Sequence, residues 1–284
     1  MHGNGEFKLV THRRKRVAHV RNNCRLNASA SRSSDVYEDC SNSSINCETL
    51  FGRLLEAEVE LKNSLFSDNV FHYLKESLTA LNANGISVIL CYGLGHFSRN
   101  KSSKYQLALL LSLKEHYGSD VYIYDPVFSS VEVQLLRQLD FNVIERNEEG
   151  KRVIGDIVTL VYMPHCSIHL INNFLYANWC RKLNRCILLT NSFSIVVDNT
   201  MERNRSHPID YILRIRPYVT EIPLTNNFIH EEAFNDLNIH IFLRKDMNNI
   251  PQNFWNKRQE PCYQDAETDY LTAKQTEEVD TKNY

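Results

Sequence analysis

Residues 86–113 read ISVILCYGLGHFSRNKSSKYQLALLLSL. A β-branched, apolar run (86–92) passes through Gly93 and Gly95 into a leucine-rich run with helical character (103–117). A strand that turns at paired glycines into a helix opens many nucleotide-binding α/β folds. The same arrangement also serves as a plain structural corner. The next hundred residues repeat the alternation of strand and helix, so this stretch decides the fold class.

Downstream, DVYIYDPVF (120–128) is strand-like up to Pro126, and SVEVQLLRQL (130–139) is a short amphipathic helix. FNVIE (141–145) reads as a third strand, EEGKR (148–152) as a turn, and DIVTLVYMP (156–164) as a fourth strand ended by Pro164. SIHLINNFLYANWC (167–180) is helical and RCILLTNSF (185–193) a fifth strand. Apolar strands alternating with helices predict a mostly parallel sheet covered on both faces. With right-handed crossovers, that is an α/β fold of the Rossmann-like, doubly wound kind. The sheet signal fades after Asp198, where 199–217 is polar and reads as a helix or a covering loop. NIHIFLR (238–244) is one more strand, setting His240, Phe242 and Arg244 against Ile239, Ile241 and Leu243. PQNFW (251–255) closes the domain.

Upstream, 48–66 carries apolar residues at Leu50, Leu54, Leu55, Val59, Leu61 and Leu65, close to helical spacing. A second helix is expected over 67–81, with Ser67 as its N-cap, before a break at Asn84–Gly85. Residues 1–44 are rich in Arg, Asn and Ser and offer little apolar surface to offset ordering entropy. The expected organisation is a disordered basic arm (1–44), N-terminal helices packed on the core (45–82), the Rossmann-like domain (83–258) and an acidic, flexible tail (259–284).

The chain has 284 residues, 43% apolar, enough for a substantial core, and a formal net charge of -2. Near-neutrality speaks against a whole-protein nucleic-acid or membrane binder. No apolar run approaches the roughly 20 residues of a membrane-spanning helix. The eight cysteines form no CxxC pair, a pattern that suits reduced thiols in the cytoplasm or nucleus. HRRKR (12–16) is either a nuclear-import or nucleic-acid patch or a solvated basic tail.

In such a sheet, ligands bind beyond the C-terminal strand ends. The residues there are Gly93 to Ser98, Asp125 to Phe128, the stretch after Glu145, Pro164 to Cys166, and Asn191 to Ser194. Gly93 and Gly95 would let backbone approach a phosphate or ribose, and Asp125 could accept from ribose hydroxyls. Ser98 stands where a third glycine belongs, and Asp125 lies farther on than the roughly 20 residues usual for dinucleotide folds. His165 and His169, four apart at the start of a helix, suggest a metal with Cys166, but the ligand set is incomplete, so no metal is expected. Cys166 at a helix N-terminus could have a depressed pKa. Asn191 and Ser192 either touch a ligand or cap the next element. The candidate ligand-binding residues are Gly93, Gly95, Ser98, Asp125, His165, Asn191 and Ser192.

In order along the chain, YGLGHFS (92–98), YQLALLLSLK (105–114), YDPVFSSVEVQLLRQL (124–139), NEEGKR (147–152), MPHC (163–166), NWC (178–180) and NSFS (191–194) resemble the motifs of the sensitivity-to-red-light-reduced family, with its SRR-like domain. The likeness covers about Ile86 to Asp198, and FNDLNIHIFL (234–243) with FWN (254–256) extends it to Asn256. The resemblance implies a cytoplasmic and nuclear regulator associated with circadian-clock input, whose animal relatives are linked to regulation of heme biosynthesis. It implies no catalytic residues. The motif positions that carry over are Gly93, Gly95, Asp125, Pro126, Pro164 to Cys166 and Asn191 to Ser194.

The functional expectation is a non-catalytic regulator working through unidentified protein partners or a small ligand, with no membrane and no direct nucleic-acid contact. The alternative is a methyltransferase-like enzyme using S-adenosylmethionine. There Gly93 and Gly95 flank the cofactor, Asp125 holds its ribose and His165 lies near the substrate. A nucleotide is the other cofactor that the turn could take.

Deleting residues 1–44 is expected to leave the thermal transition nearly unchanged, because little apolar surface is lost. Calorimetry of the shortened chain checks this. If HRRKR directs import, the same deletion lowers nuclear accumulation.

Overall fold

The computed structural model describes residues 46–203 and 209–263, with side chains of 199–203 excepted. The basic arm with HRRKR, Cys24 and Cys40, and the tail beyond Tyr263 lie outside the described residues.

Two helices come first, α1 (Cys47–Lys62) and α2 (Leu65–Ala80). Asn46 caps α1 by accepting from the Thr49 N–H at 2.8 Å. The cap of α2 is Ser64, not Ser67: the chain is extended at Ser64, and its Oγ accepts from the Ser67 N–H at 3.2 Å. Ser67 is thereby a buried residue of the first turn. The expectation failed because both serines suit a cap, and only the direction of the chain after Asn63 chooses between them.

The sheet has seven strands: β1 (Val88–Tyr92), β2 (Asp120–Tyr124), β3 (Asn142–Val143), β4 (Thr159–Met163), β5 (Cys186–Asn191), β6 (Thr220–Pro223) and β7 (Leu237–Ile241). Their order across the sheet is β3-β2-β1-β4-β5-β7-β6. The first five run parallel, in register Val88 with Asp120 and Val88 with Thr159. The connecting helices are α3 (Lys101–Tyr117), α4 (Ser130–Gln138) and α5 (Ile168–Ala177). Then come α6 (Phe193–Arg203), α7 (Asp210–Ile215), α8 (Arg244–Asn249) and α9 (Gln252–Asn256). Helices therefore fill much of the polar stretch after Asp198.

The strand expected at 238–244 is β7; it runs antiparallel, pairing β5 on one side and β6 on the other. Its five residues are all buried, His240 among them. A strand covered on both faces carries no obligation to alternate. β6 was not anticipated, since TEIP is short, polar and ends in a proline, features that an edge strand tolerates.

Alternate residues feed two cores. Ile89, Cys91, Val121 and Ile123 pack with residues of α1, α2, α3 and α4. Leu90, Tyr92, Val161 and Met163 pack with residues of α5, α7 and α9. Helix α3 is buried over most of its length from Ser103 to Leu113, because α1 covers the side that the sheet leaves open.

Helix α5 holds the second core together through asparagines. Asn172 is fully buried; its Oδ1 accepts from the Tyr211 and Ile212 N–H groups at 3.0 and 3.3 Å, capping α7 from outside. Asn178 bonds the Ile154 N–H and the Arg152 carbonyl. Gln259 to Tyr263, grouped with the tail by composition, lie on the domain. Gln259 N–H donates to the Tyr211 hydroxyl, Glu260 pairs with Lys151, and Tyr263 hydrogen-bonds Asn172 and Asn173. Among the described residues no helix is long and apolar enough to cross a membrane.

Asn172→Ala strands two buried N–H donors at the start of α7. A loss of about 1–3 kcal/mol is expected, read by urea unfolding.

Candidate functional site

The turn after β1 needs its glycines. Gly93 and Gly95 hold φ of +69° and +77°, where a side chain is strained. Their surroundings add a second reason. A Cβ on Gly93 would lie 2.3 Å from Cys166 Sγ, and one on Gly95 would lie 2.9 Å from Ser103 Oγ. The space that glycines leave for a ligand in a nucleotide site is taken here by the chain itself.

The N–H of Gly95 is also occupied. Asp125 Oδ2 accepts from the Gly95 N–H at 2.8 Å, and its Oδ1 accepts from the Val127 N–H at 3.0 Å. Asp125 is therefore half-buried and tied to the turn, not an open strand-end acid. Burial pushes its carboxyl up, against the pull of the two N–H donors. Ser98 enters through its backbone: its N–H donates to Glu132 Oε1 at 2.8 Å.

Glu132 is the residue the sequence reading missed. It has no solvent exposure, and it joins two elements. Its Oε2 accepts from the Ser129 N–H at 2.8 Å, completing a capping box with Ser129 at the start of α4. The same oxygen lies 3.1 Å from His96 Nδ1. Burial opposes its charge, yet the N–H groups of Ser129 and Ser98, with His96, outweigh it and hold the carboxyl below its ordinary value. Ser-x-x-Glu in 129–132 was the available signal, but it speaks only for the local cap.

Beyond β4, Cys166 lies across the boundary between β1 and β4, where the strand order reverses direction from β1. Its thiol donates to the Tyr92 carbonyl at 2.9 Å. Burial raises the thiol, so the depressed pKa expected at a helix N-terminus does not occur. His165 sits before α5 with φ of +53°, so the i, i+4 face imagined for His165 and His169 does not form. The ring of His165 spans the Asn235 carbonyl at 3.0 Å and Gln106 Nε2 at 3.3 Å. His169 instead packs its ring against Tyr263 at a tilt of 41°, with ring centres 4.3 Å apart. Among the described residues no group of three or more His, Cys, Asp or Glu is placed to hold a metal ion.

Beyond β5, Ser192 caps α6, accepting from the Ile195 N–H at 3.1 Å and donating to Glu221. Glu221, on β6, also receives Ser194 Oγ and N–H and the Asn238 amide. Burial opposes its charge, but His240, Ser192 and Ser194 hold it well below the carboxylate range. His240, fully buried, is lowered by that burial. Asn191 Oδ1 is buried with no hydrogen-bond partner among the described residues.

On the opposite core side, Glu148 from the 148–152 turn accepts from the Tyr92 hydroxyl at 2.8 Å and takes a two-pronged contact from Arg152. The turn is thus part of the strand-end edge. The structure brings Gly93, Gly95, Ser98 and Asp125 into one hydrogen-bonded corner, and attaches His165 to the 233–235 loop. Asn191 and Ser192 belong to a separate cluster around Glu221. Two surface hollows, one along α4 and one beside Asn82 to Ser87, include none of these candidates.

Compared with known proteins, residues 53–241 match the SRR1 domain. An SRR1-like protein of Drosophila melanogaster is 31% identical over 227 residues, 79% of each chain. One of Mus musculus is 37% identical over 130 residues, 44% of this chain and 52% of that one. The protein SENSITIVITY TO RED LIGHT REDUCED 1 of Arabidopsis thaliana is 27% identical over 205 residues, covering 65% of this chain and 72% of its own.

The Glu132 carboxyl sits below its ordinary value of 4.5. A lowered carboxyl stabilises the fold fully above its unfolded value, and the gain is lost as pH falls through the folded one. Stability of the natural chain should therefore fall on acidification below pH 4.5. Glu132→Gln should lower stability at pH 7 by about 1–3 kcal/mol and flatten that acid dependence, read as Tm against pH.

Proposed function

The chain belongs to the SRR1 domain family, and from that premise we propose that it is a regulatory protein with no reaction of its own. It acts in clock-linked control, with a bearing on heme biosynthesis, through protein partners in the cytoplasm and nucleus. We read its strand order as a Rossmann-like, doubly wound sheet extended by an antiparallel ribbon of β7 and β6.

One observation carries the non-catalytic reading. The corner that would cradle a cofactor is engaged by the protein's own groups. Asp125 takes the Gly95 N–H, Glu132 takes the Ser98 N–H, and Cys166 Sγ stands over Gly93. A phosphate there would meet two carboxylates rather than free donors, and like charges at contact distance repel strongly in a half-buried site. The corner then serves as a rigid platform whose outer surface partners recognise.

S-adenosylmethionine carries no phosphate, so it is the sharper test. A ligand at one hundred times its dissociation constant stabilises by about 2.7 kcal/mol. For a domain of this size that is a shift of about 5 to 11 °C. No such shift is expected with S-adenosylmethionine, NAD or ATP at millimolar concentration. A shift with S-adenosylmethionine that Asp125→Asn removes would overturn the proposal in favour of a methyltransferase-like enzyme. Asparagine is chosen because it keeps an acceptor for the Gly95 N–H.

A further inference from the structure

Helix α5 is covered along one side by a piece of the chain's own C-terminal segment. Up to Lys257 that segment is fixed by burial. Trp255 lies in the second core, and Arg214 packs over Trp179 at 4.6 Å while donating to the Phe254 and Lys257 carbonyls. Residues 258–263 then form a strap that runs back along α5 from its last turn to its first, beyond the residues that match the SRR1 domain. Arg258 donates to the Ala177 carbonyl and lies over the Tyr176 ring, whereas Tyr263 packs against His169. Arg258, Gln259, Glu260 and Cys262 are exposed, and Pro261 and Tyr263 only half-buried, so hydrophobic burial contributes little to holding the strap.

What holds it is a set of polar groups that the domain has already aimed. Asn172 Oδ1 is taken by the Tyr211 and Ile212 N–H groups, which turns its Nδ2 toward the Tyr263 hydroxyl, to which it donates at 3.1 Å. Asn173 Nδ2 is taken by the Glu149 carbonyl at 2.9 Å, which turns its Oδ1 to accept from the same hydroxyl at 2.9 Å. Both asparagines are buried, 0% and 2% exposed. One donor and one acceptor fixed side by side match a hydroxyl, which accepts and donates at once. Three residues before Tyr263, Glu260 meets Lys151 at 2.7 Å. One residue earlier, the Tyr211 hydroxyl accepts from the Gln259 N–H at 2.8 Å and donates to the Gln259 carbonyl at 2.6 Å, a grip on backbone that ignores the side chain. Every one of these bonds uses a side chain, as in the grip of a groove on an extended peptide, and together they read backbone, an acid, and a tyrosine three residues after the acid.

We propose that this side of α5, with Tyr211 and Lys151, is a peptide-binding groove, closed in the free chain by its own residues 258–263 and taken over by an extended segment of a protein partner that carries an acid three residues before a tyrosine. This rests on the partner-binding reading above and gives one such partner its chemistry. A single exposed ion pair and a few hydrogen bonds are worth little net, so the strap can be displaced. It keeps its place in the free chain because tethering gives it a high effective concentration over its own groove.

A fluorescent, amide-capped peptide of residues 257–263, bearing Cys262→Ser to prevent oxidation, tests this by anisotropy against the full chain. The full chain carrying Glu260→Ala and Tyr263→Ala, which frees both anchors of the strap, should bind the peptide at least about tenfold more tightly than the unsubstituted chain. In that opened chain Lys151→Glu should weaken binding at least about tenfold, and a peptide with Glu260→Lys should recover the loss. A peptide with Tyr263→Phe should bind about tenfold more weakly, since it leaves the Asn172 donor and the Asn173 acceptor unmatched. A melting curve for each chain confirms folding. Cofactor binding at the β1 corner and peptide binding on α5 are read by different probes, so a failure of one leaves the other standing. Equal binding by the unsubstituted and opened chains overturns the proposal. So does an opened chain that takes up no peptide below about 1 mM, or one whose binding is indifferent to Lys151→Glu or to the peptide's Tyr263→Phe.

Discussion

A carboxylate with no solvent exposure has to be surrounded by donors, and Glu132 meets that requirement with backbone. It binds the N–H of Ser129 at the start of α4 and the N–H of Ser98 in the turn after β1, with His96 beside it. These groups come from two different strand-to-helix connections. One charge thus sets the spacing between the ends of β1 and β2. The geometry of Gly93 to Ser98, the seat of Asp125 and the path of the chain into α3 all depend on it. Leaving such a charge unpaired would cost several kcal/mol, which makes the corner stiff.

The same solution recurs across the sheet. Asp125 holds the Gly95 and Val127 N–H groups. Glu221 holds Ser192, Ser194 and Asn238, joining the start of α6 to β6 and β7. Glu148 joins Tyr92 to Arg152. Each acid ties a strand end to a neighbouring connection. In a ligand-binding sheet those strand-end donors are left free for the ligand. Here they are used to hold loops in place. Helix α5 extends this logic to the other core, where Asn172, Asn173 and Asn178 replace acids as the connecting groups.

The α/β class and the mostly parallel sheet were legible from periodicity, because buried parallel strands read as unbroken apolar runs such as TLVYM and CILLT. The family was legible from the order of its motifs. The antiparallel β7 was visible as a strand but not in its direction, since burial on both faces looks alike for either pairing. β6 was hidden by Pro223 and by polar residues that only an edge permits. At the candidate site, Gly93 and Gly95 were recognisable as a tight turn, because positive φ demands glycine; that Asp125 would take the Gly95 N–H, rather than stand open at the strand end, was not.

What the sequence by itself determined is therefore local. It set which of the buried, apolar segments are strands or helices, where glycine is obligatory, and which motifs stand in which order. What the tertiary structure alone decided is whom each polar group meets. Glu132 lies 34 residues from Ser98, Cys166 lies 74 from Tyr92, and Glu221 lies 27 from Ser194. No periodicity encodes such partners, because a hydrogen bond between distant residues depends on the packing of every element between them. The same turn could present its donors to a ligand or spend them on its own carboxylates. That choice is made by where β2, α4 and β4 come to rest beside β1.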